Sequence, residues 1–238
     1  MNEFETRTLA AASGAAAPVD SPVVGLRPHQ PAAGFPLVGA LPFRPSFRRA
    51  MALVHVIDDG RDGGEVVRMR GDRLLIGRVE GDILVPHDIC MSPSHAAIER
   101  LDDGGWILRD LESSTGTFVR VTSARLATGT VIQVGRTRLR FEEAGPTTGW
   151  FVERAAGRRH ECRAPQATIG RAEVGPDIAL SDPFVSPIHA TVRRTPHGWR
   201  IANSGWNGLW VRIDPTVRMA AATQFLCGEQ RFVFEPLG

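Results

Sequence analysis

The chain has 238 residues, enough for two domains of ordinary size, and its hydrophobic fraction of 42% is that of a water-soluble fold. A formal net charge of +2 is too small to build the basic field with which nucleic-acid binders gather phosphates. No apolar run approaches the roughly 18 residues of a membrane span, and the acidic start Met1-Asn2-Glu3-Phe4-Glu5 is unlike a secretory leader. Three cysteines, Cys90, Cys162 and Cys227, form no disulfide framework and no zinc-ligand spacing. The expectation is a cytoplasmic protein with no membrane or nucleic-acid partner, no cofactor and no metal. Every basic side chain is Arg, whose planar fork grips phosphate bidentately, and tyrosine is absent.

Residues 1–48 are rich in Ala, Pro and Gly, and seven prolines from Pro18 to Pro45 would interrupt any helix or central strand. We read this stretch as a disordered tail. From Met51 the texture changes. The run 52–57, the turn Asp58 to Gly64 and the return 65–69 spell a hairpin. Short β-rich runs follow at 73–76, 95–99, 106–109, 117–121, 131–134 and 137–141, separated mostly by Gly, Asp and Ser. Strands about ten residues apart predict a sandwich or barrel.

The second half repeats the first. Ile76-Gly77-Arg78 returns as Ile169-Gly170-Arg171, and Ser92-Pro93-Ser94-His95-Ala96 as Ser186-Pro187-Ile188-His189-Ala190. Gly104-Gly105-Trp106 returns as His197-Gly198-Trp199, and Gly116-Thr117-Phe118-Val119-Arg120 as Gly208-Leu209-Trp210-Val211-Arg212. Four landmarks in order, each displaced by about 93 residues, mark a duplicated domain. The expected units are 50–143 and 147–238, joined near Ala144-Gly145-Pro146.

The order Gly-Arg, then Ser-x-x-His, then a turn ending in Gly resembles the forkhead-associated (FHA) family. Its pattern continues Asp-Leu-x-Ser-Thr-Asn-Gly-Thr before an aromatic. The first repeat offers Gly77-Arg78, Ser92 to His95 and Asp110-Leu111-Glu112-Ser113-Ser114-Thr115-Gly116-Thr117-Phe118. The second offers Gly170-Arg171, Ser186 to His189 and Ala202 to Trp210, with Ala202 expected in the place of Asp110. The resemblance implies an all-β fold of two tandem FHA-type sandwiches behind the tail. It also implies a binding module, not an enzyme, whose loops take phosphothreonine peptides after a Ser/Thr kinase has acted.

Residue by residue, the resemblance gives Arg78 the charged fork. Ser92, Ser94, Ser114 and Thr115 are the remaining phosphopeptide contacts, with Gly77, His95 and Gly116 supporting the loops. Arg171, Ser186, His189 and Asn207 form the second, degenerate set. The departures are specific. Thr115 stands where the family's Asn clamps the peptide main chain. Trp206 replaces a hydroxyl, Gly205 and Leu209 replace two more, and Pro93 and Pro187 each remove a backbone N–H. The first repeat is therefore expected to read phosphate. The alternative is a phosphate-independent scaffold in which the second repeat packs on a partner or on the first. A hydrolase triad of Ser92, His95 and Asp110 lacks a nucleophile elbow. His87, Asp88, Cys90 and His95 match no closed zinc set. Thr6 and Thr8 in the tail, beside Glu3 and Glu5, could carry a kinase site that docks back on the protein's own domain.

Overall fold

The structure is a computed structural model that describes residues 50–57, 64–219 and 221–237. The tail over 1–48, with Thr6 and Thr8, and most of the turn after residue 57 lie outside the described residues. The described chain is almost wholly β, and its helical content is a single 3-10 turn, Ala172–Val174.

The first repeat supplies ten strands. They are β1 (Ala52–Ile57), β2 (Val66–Met69), β3 (Arg73–Gly77), β4 (Ile83–Leu84), β5 (Ala96–Arg100), β6 (Trp106–Asp110), β7 (Thr117–Val121), β8 (Ser123–Leu126), β9 (Val131–Val134) and β10 (Thr137–Glu143). The second supplies β11 (Thr148–Glu153), β12 (Arg159–Arg163), β13 (Gln166–Arg171), β14 (Ile178–Leu180), β15 (Ala190–Thr195), β16 (Gly198–Asn203), β17 (Leu209–Arg212), β18 (Thr216–Met219), β19 (Thr223–Cys227) and β20 (Gln230–Pro236). The alternation of buried and half-buried residues in β1 is that of a strand with one face on a core. Its pairing with β2, Ala52 opposite Met69, confirms the expected hairpin.

The two sandwiches are not the contiguous segments 50–143 and 147–238. Each is completed by the last three strands of the other repeat. Strand β20 pairs with β1, β19 with β7, and β18 with β6. Reciprocally, β8 pairs with β16, β9 with β17, and β10 with β11. The junction near Ala144-Gly145-Pro146 is thus the turn of a β10–β11 hairpin inside the second sandwich. One ten-stranded sheet, order β12-β11-β10-β9-β17-β7-β19-β20-β1-β2, runs through both sandwiches. A five-stranded sheet closes each: β18-β6-β5-β3-β4 over the first, β14-β13-β15-β16-β8 over the second.

The physical reason lies in the connections. Thr122 alone separates β7 from β8, too little chain to turn back, so the strand runs on into the neighbouring sandwich. The β17–β18 connection is also short, Ile213-Asp214-Pro215, and Pro215 stiffens it. The cores record the exchange. Trp106 packs edge-on to Phe234 at 5.3 Å, and Trp199 packs edge-on to Phe141 at 5.9 Å, so each ring pair joins the two repeats. Val119 and Val211 face each other across the β7–β17 pair and contribute to the first and second core respectively. Phe118, Trp210, Leu226 and Val131 form a small cluster on the opposite face of the shared sheet.

Candidate functional site

Three loops at one end of the first sandwich carry the residues expected from sequence. Arg78 leaves the end of β3, Ser92 lies between β4 and β5, and Ser114 between β6 and β7. Gly77 sits so close to the carbonyls of Pro93 and Glu80 that a Cβ would collide with backbone. That close approach brings Arg78 beside the Ser92 loop: its backbone N donates to the Ser92 carbonyl at 3.0 Å. The Arg78 Nε donates to the Met91 carbonyl at 3.1 Å. The guanidinium is thereby oriented, and among the described residues its two terminal nitrogens have no hydrogen-bond partner, which leaves them for an oxyanion.

The hydroxyls converge beside it. Ser92 Oγ and Ser114 Oγ are 3.2 Å apart, and the Ser114 backbone N donates to Ser92 Oγ at 2.9 Å. His95 is fully buried beneath them. Its Nδ1 accepts the Ser92 backbone N–H at 3.0 Å, so Nε2 carries the proton and faces the Gly116 carbonyl at 3.4 Å. Burial pulls the His95 pKa below its usual 6.5, outweighing the Gly116 carbonyl, which pulls it up. A neutral imidazole thus ties the Ser92 loop to the Gly116 turn. It does not contact Ser92 Oγ, so no hydrolytic relay runs from Ser92 to His95. Asp110 is likewise engaged, accepting from Ser113 Oγ and Thr117 Oγ1 at 2.6 Å each.

Two of the expected contacts point elsewhere. Ser94 donates its hydroxyl to Glu80 Oε2 at 2.8 Å, and Thr115 donates to the Cys90 carbonyl at 2.9 Å. The second bond has a twin in the second repeat, where Asn207 Nδ2 donates to the Phe184 carbonyl at 2.7 Å. At this position both residues tie the Gly turn to the loop before it.

The second loop set repeats the backbone frame. Arg171 N donates to the Ser186 carbonyl at 3.1 Å, Ser186 N to His189 Nδ1 at 3.0 Å, and His189 Nε2 faces the Gly208 carbonyl at 2.9 Å. The Trp206 backbone N donates to Ser186 Oγ at 3.2 Å, as the Ser114 backbone N donates to Ser92 Oγ. Trp206 therefore occupies the place of Ser114, and its side chain is 92% exposed. Asn203, not Ala202, holds the place of Asp110. It pairs with Ala190 across the sheet as Asp110 pairs with Ala96, so the turn in the second repeat is one residue shorter. The extra residue in the first repeat is Glu112, at φ 54°, a left-handed conformation uncommon for a non-glycine. Both turns close on the Asp110 position, Ser113 N donating to Asp110 and Gly205 N to Asn203, but Ser113 adds a hydroxyl bond to Asp110 whereas Gly205 lies directly against the His189 ring.

The charge around the arginines differs most. Glu80 and Glu173 are equivalent, each two residues beyond its arginine. Ser94 holds Glu80, but its counterpart is Ile188, and Glu173 Oε2 instead lies 3.1 Å from Arg171 Nε. That contact forms an ion pair without hydrogen-bond geometry, since Arg171 Nε is buried without an acceptor. Sequence reading singled out neither glutamate. The signal was available in the coupled change from Ser94 to Ile188. Of the thiols, Cys162 is pushed up to about 12 by burial and Cys227 is pushed up further, which leaves both unreactive.

Two sets of three loops, each gathered over a buried histidine at the end of a β-sandwich, define a recognition module. The FHA domain profile matches residues 74–135 and 167–225, just over half of the chain, so the chain belongs to the FHA domain family. The FHA domain-containing protein FhaB of Mycobacterium tuberculosis is 31% identical over 96 residues, 39% of this chain and 61% of that protein. The match thus spans less than two thirds of that relative's length. Among solved structures, Mycobacterium tuberculosis EmbR in complex with a low-affinity phosphopeptide is similar at 14% identity, over 79% of this chain and 25% of that chain, with a TM-score of 0.36. The FHA domain of the CT664 protein from Chlamydia trachomatis is similar at 12% identity, over 79% and 98% of the two chains, with a TM-score of 0.35.

Proposed function

We propose that the chain is a phosphothreonine-peptide-binding adaptor, not an enzyme, which recruits a partner after a Ser/Thr kinase has phosphorylated it. Binding runs mainly through the first loop set. The observation that carries this reading is the pairing of Ser92 Oγ with Ser114 Oγ at 3.2 Å beside an Arg78 already oriented by Met91. A phosphate dianion needs a charged fork, hydroxyls and backbone donors converging from several sides. Three or four such bonds at roughly 1.5–3 kcal/mol each reach the about 8 kcal/mol of a micromolar complex. Unpaired thiols at Cys90, Cys162 and Cys227 support a reducing, cytoplasmic compartment.

The test is a titration of the full chain with matched phosphothreonine, phosphoserine and unphosphorylated peptide libraries. The phosphothreonine peptides are expected to bind in the micromolar range and to lose about a hundredfold in affinity on Arg78→Ala. Equal binding before and after that substitution contradicts the reading. A second reading rests on Trp206, which together with Ile188 and Phe184 exposes apolar surface on the second loop set. If that surface docks a phosphate-independent partner, Trp206→Ala abolishes its capture while Arg78→Ala does not.

A further inference from the structure

A cleft of about 600 Å³ opens against Ser114 and Thr115, and its other wall belongs to the second sandwich. That wall is basic. Arg136 stands in the β9–β10 turn with its guanidinium 4.8 Å from the Phe184 ring centre, and Arg154 stands at the end of β11. Both are exposed, and among the described residues neither side chain has an acidic or hydrogen-bonding partner. Arg138 lies between them and the first loop set. It donates to the Thr115 carbonyl at 3.1 Å and to Gln133 at 2.9 Å. Burial lowers the Arg138 pKa, Cys90, Glu229 and Asp88 pull it back up and Arg154 pulls with burial, and a guanidinium stays protonated throughout.

Two carboxylates, Glu153 and Asp182, line the same cleft, and the three arginines Arg136, Arg138 and Arg154 outnumber them. Glu153 Oε1 is 2.7 Å from His160 Nε2. Asp182 accepts from the backbone N of Arg136 at 2.7 Å, from Thr137 Oγ1 at 2.9 Å and from Phe184 N at 2.9 Å. Strand exchange creates the arrangement. The equivalent turn on the first sandwich, between β19 and β20, carries Glu229 where this one carries Arg136, and its backbone is held by Asp88 at 2.7 Å.

We infer that Arg136 and Arg154 take a second anionic group of the same phosphothreonine peptide, either an acidic side chain or a second phosphate. The inference rests on the proposed phosphothreonine reading of the first loop set and adds a selectivity to it. A cleft of this volume is on the order of 8 Å across, the length of two to three extended residues. The second charge therefore belongs within about four residues of the phosphothreonine.

Three fluorescent peptides of one sequence test this on the full chain. One has a phosphothreonine with neutral flanks, one adds glutamates two to four residues away on both sides, and one adds a second phosphothreonine there. Both charged peptides are expected to bind about tenfold tighter than the neutral one, the doubly phosphorylated peptide most tightly. The R136S/R154S variant is expected to erase that gain and keep the neutral peptide's affinity within about twofold. The R193S/R200S variant, which removes the same charge elsewhere, is expected to keep the gain. Equal affinity for all three peptides, or a gain that survives R136S/R154S or vanishes in R193S/R200S, overturns this inference alone. Failure of every peptide to bind overturns the phosphothreonine reading and this inference with it.

Discussion

In the first loop set a serine hydroxyl holds the glutamate that follows the arginine. In the second, isoleucine stands in that serine's place and the glutamate turns onto the arginine. The frame beneath is shared: the histidine bridge, the close-packed glycine and the bond from the second turn to the first serine occur in both sets. The difference teaches that a recognition frame can persist while its charge is cancelled from within. Exposed ion pairs such as Arg171 with Glu173 add little stability, about 0–1 kcal/mol, but an incoming phosphate would have to displace the carboxylate. With Trp206 in the place of Ser114 and Glu173 beside Arg171, the second set lacks one hydroxyl and carries a carboxylate against its arginine.

The shared part of this comparison can be broken at its base, where both sandwiches depend on exchanged strands. Phe234→Ala is expected to cost about 3–5 kcal/mol in equilibrium unfolding. Its double-mutant cycle with Trp106 should show a coupling of roughly 0.5–1.5 kcal/mol, whereas the cycle of Trp106 with Phe141 should show none. Coupling to Phe141 in place of Phe234 would mean contiguous sandwiches. The contrast between the sets is sharpened by Ser94→Ile, which copies the second repeat into the first. Freed from Ser94, Glu80 is expected to pair with Arg78 and weaken phosphothreonine-peptide binding about tenfold, or ~1.4 kcal/mol. Adding Glu80→Gln should restore most of the affinity, and no rescue would reduce Ser94 to a direct contact or a packing role.

A smaller effect is expected from pH. Since the folded pKa of His95 lies below its usual 6.5, the unfolded chain takes up the proton more readily. The contribution of neutral His95 is fully present above pH 6.5 and is lost as pH falls through the lowered folded value. Thermal unfolding midpoints should therefore drop on acidification, and less steeply in His95→Gln than in the parent chain. Parallel pH profiles of the two proteins would place the acid sensitivity elsewhere.

Much of this was legible in the sequence. Apolar runs located β1, β5, β6, β7, β9 and β10, because each buries at least one face. The repeat located both loop sets, and Arg78, Ser92, His95 and Ser114 do gather at one place. Strand exchange was hidden for a physical reason. Each exchanged segment enters an environment equivalent to the one it leaves, as Phe141 and Phe234 each meet a tryptophan, so the hydrophobic pattern is the same either way. Only the short connections record the choice, Thr122 between β7 and β8 and Ile213-Asp214-Pro215 between β17 and β18, and β8 itself, at Ser123–Leu126, has no apolar run to reveal it. The roles of Ser94 and Glu80 were hidden because they arise from contact across a loop and not from a motif. Arg136 and Arg154 belong to turns with no counterpart in the family pattern.

The most direct test of the asymmetry is the stoichiometry of a phosphothreonine peptide on the full chain, measured calorimetrically for the parent, Arg78→Ala and Arg171→Ala. One peptide per chain, lost in Arg78→Ala and kept with unchanged affinity in Arg171→Ala, is the result predicted here. Two equivalent sites per chain, or a site that vanishes with Arg171→Ala, would contradict it.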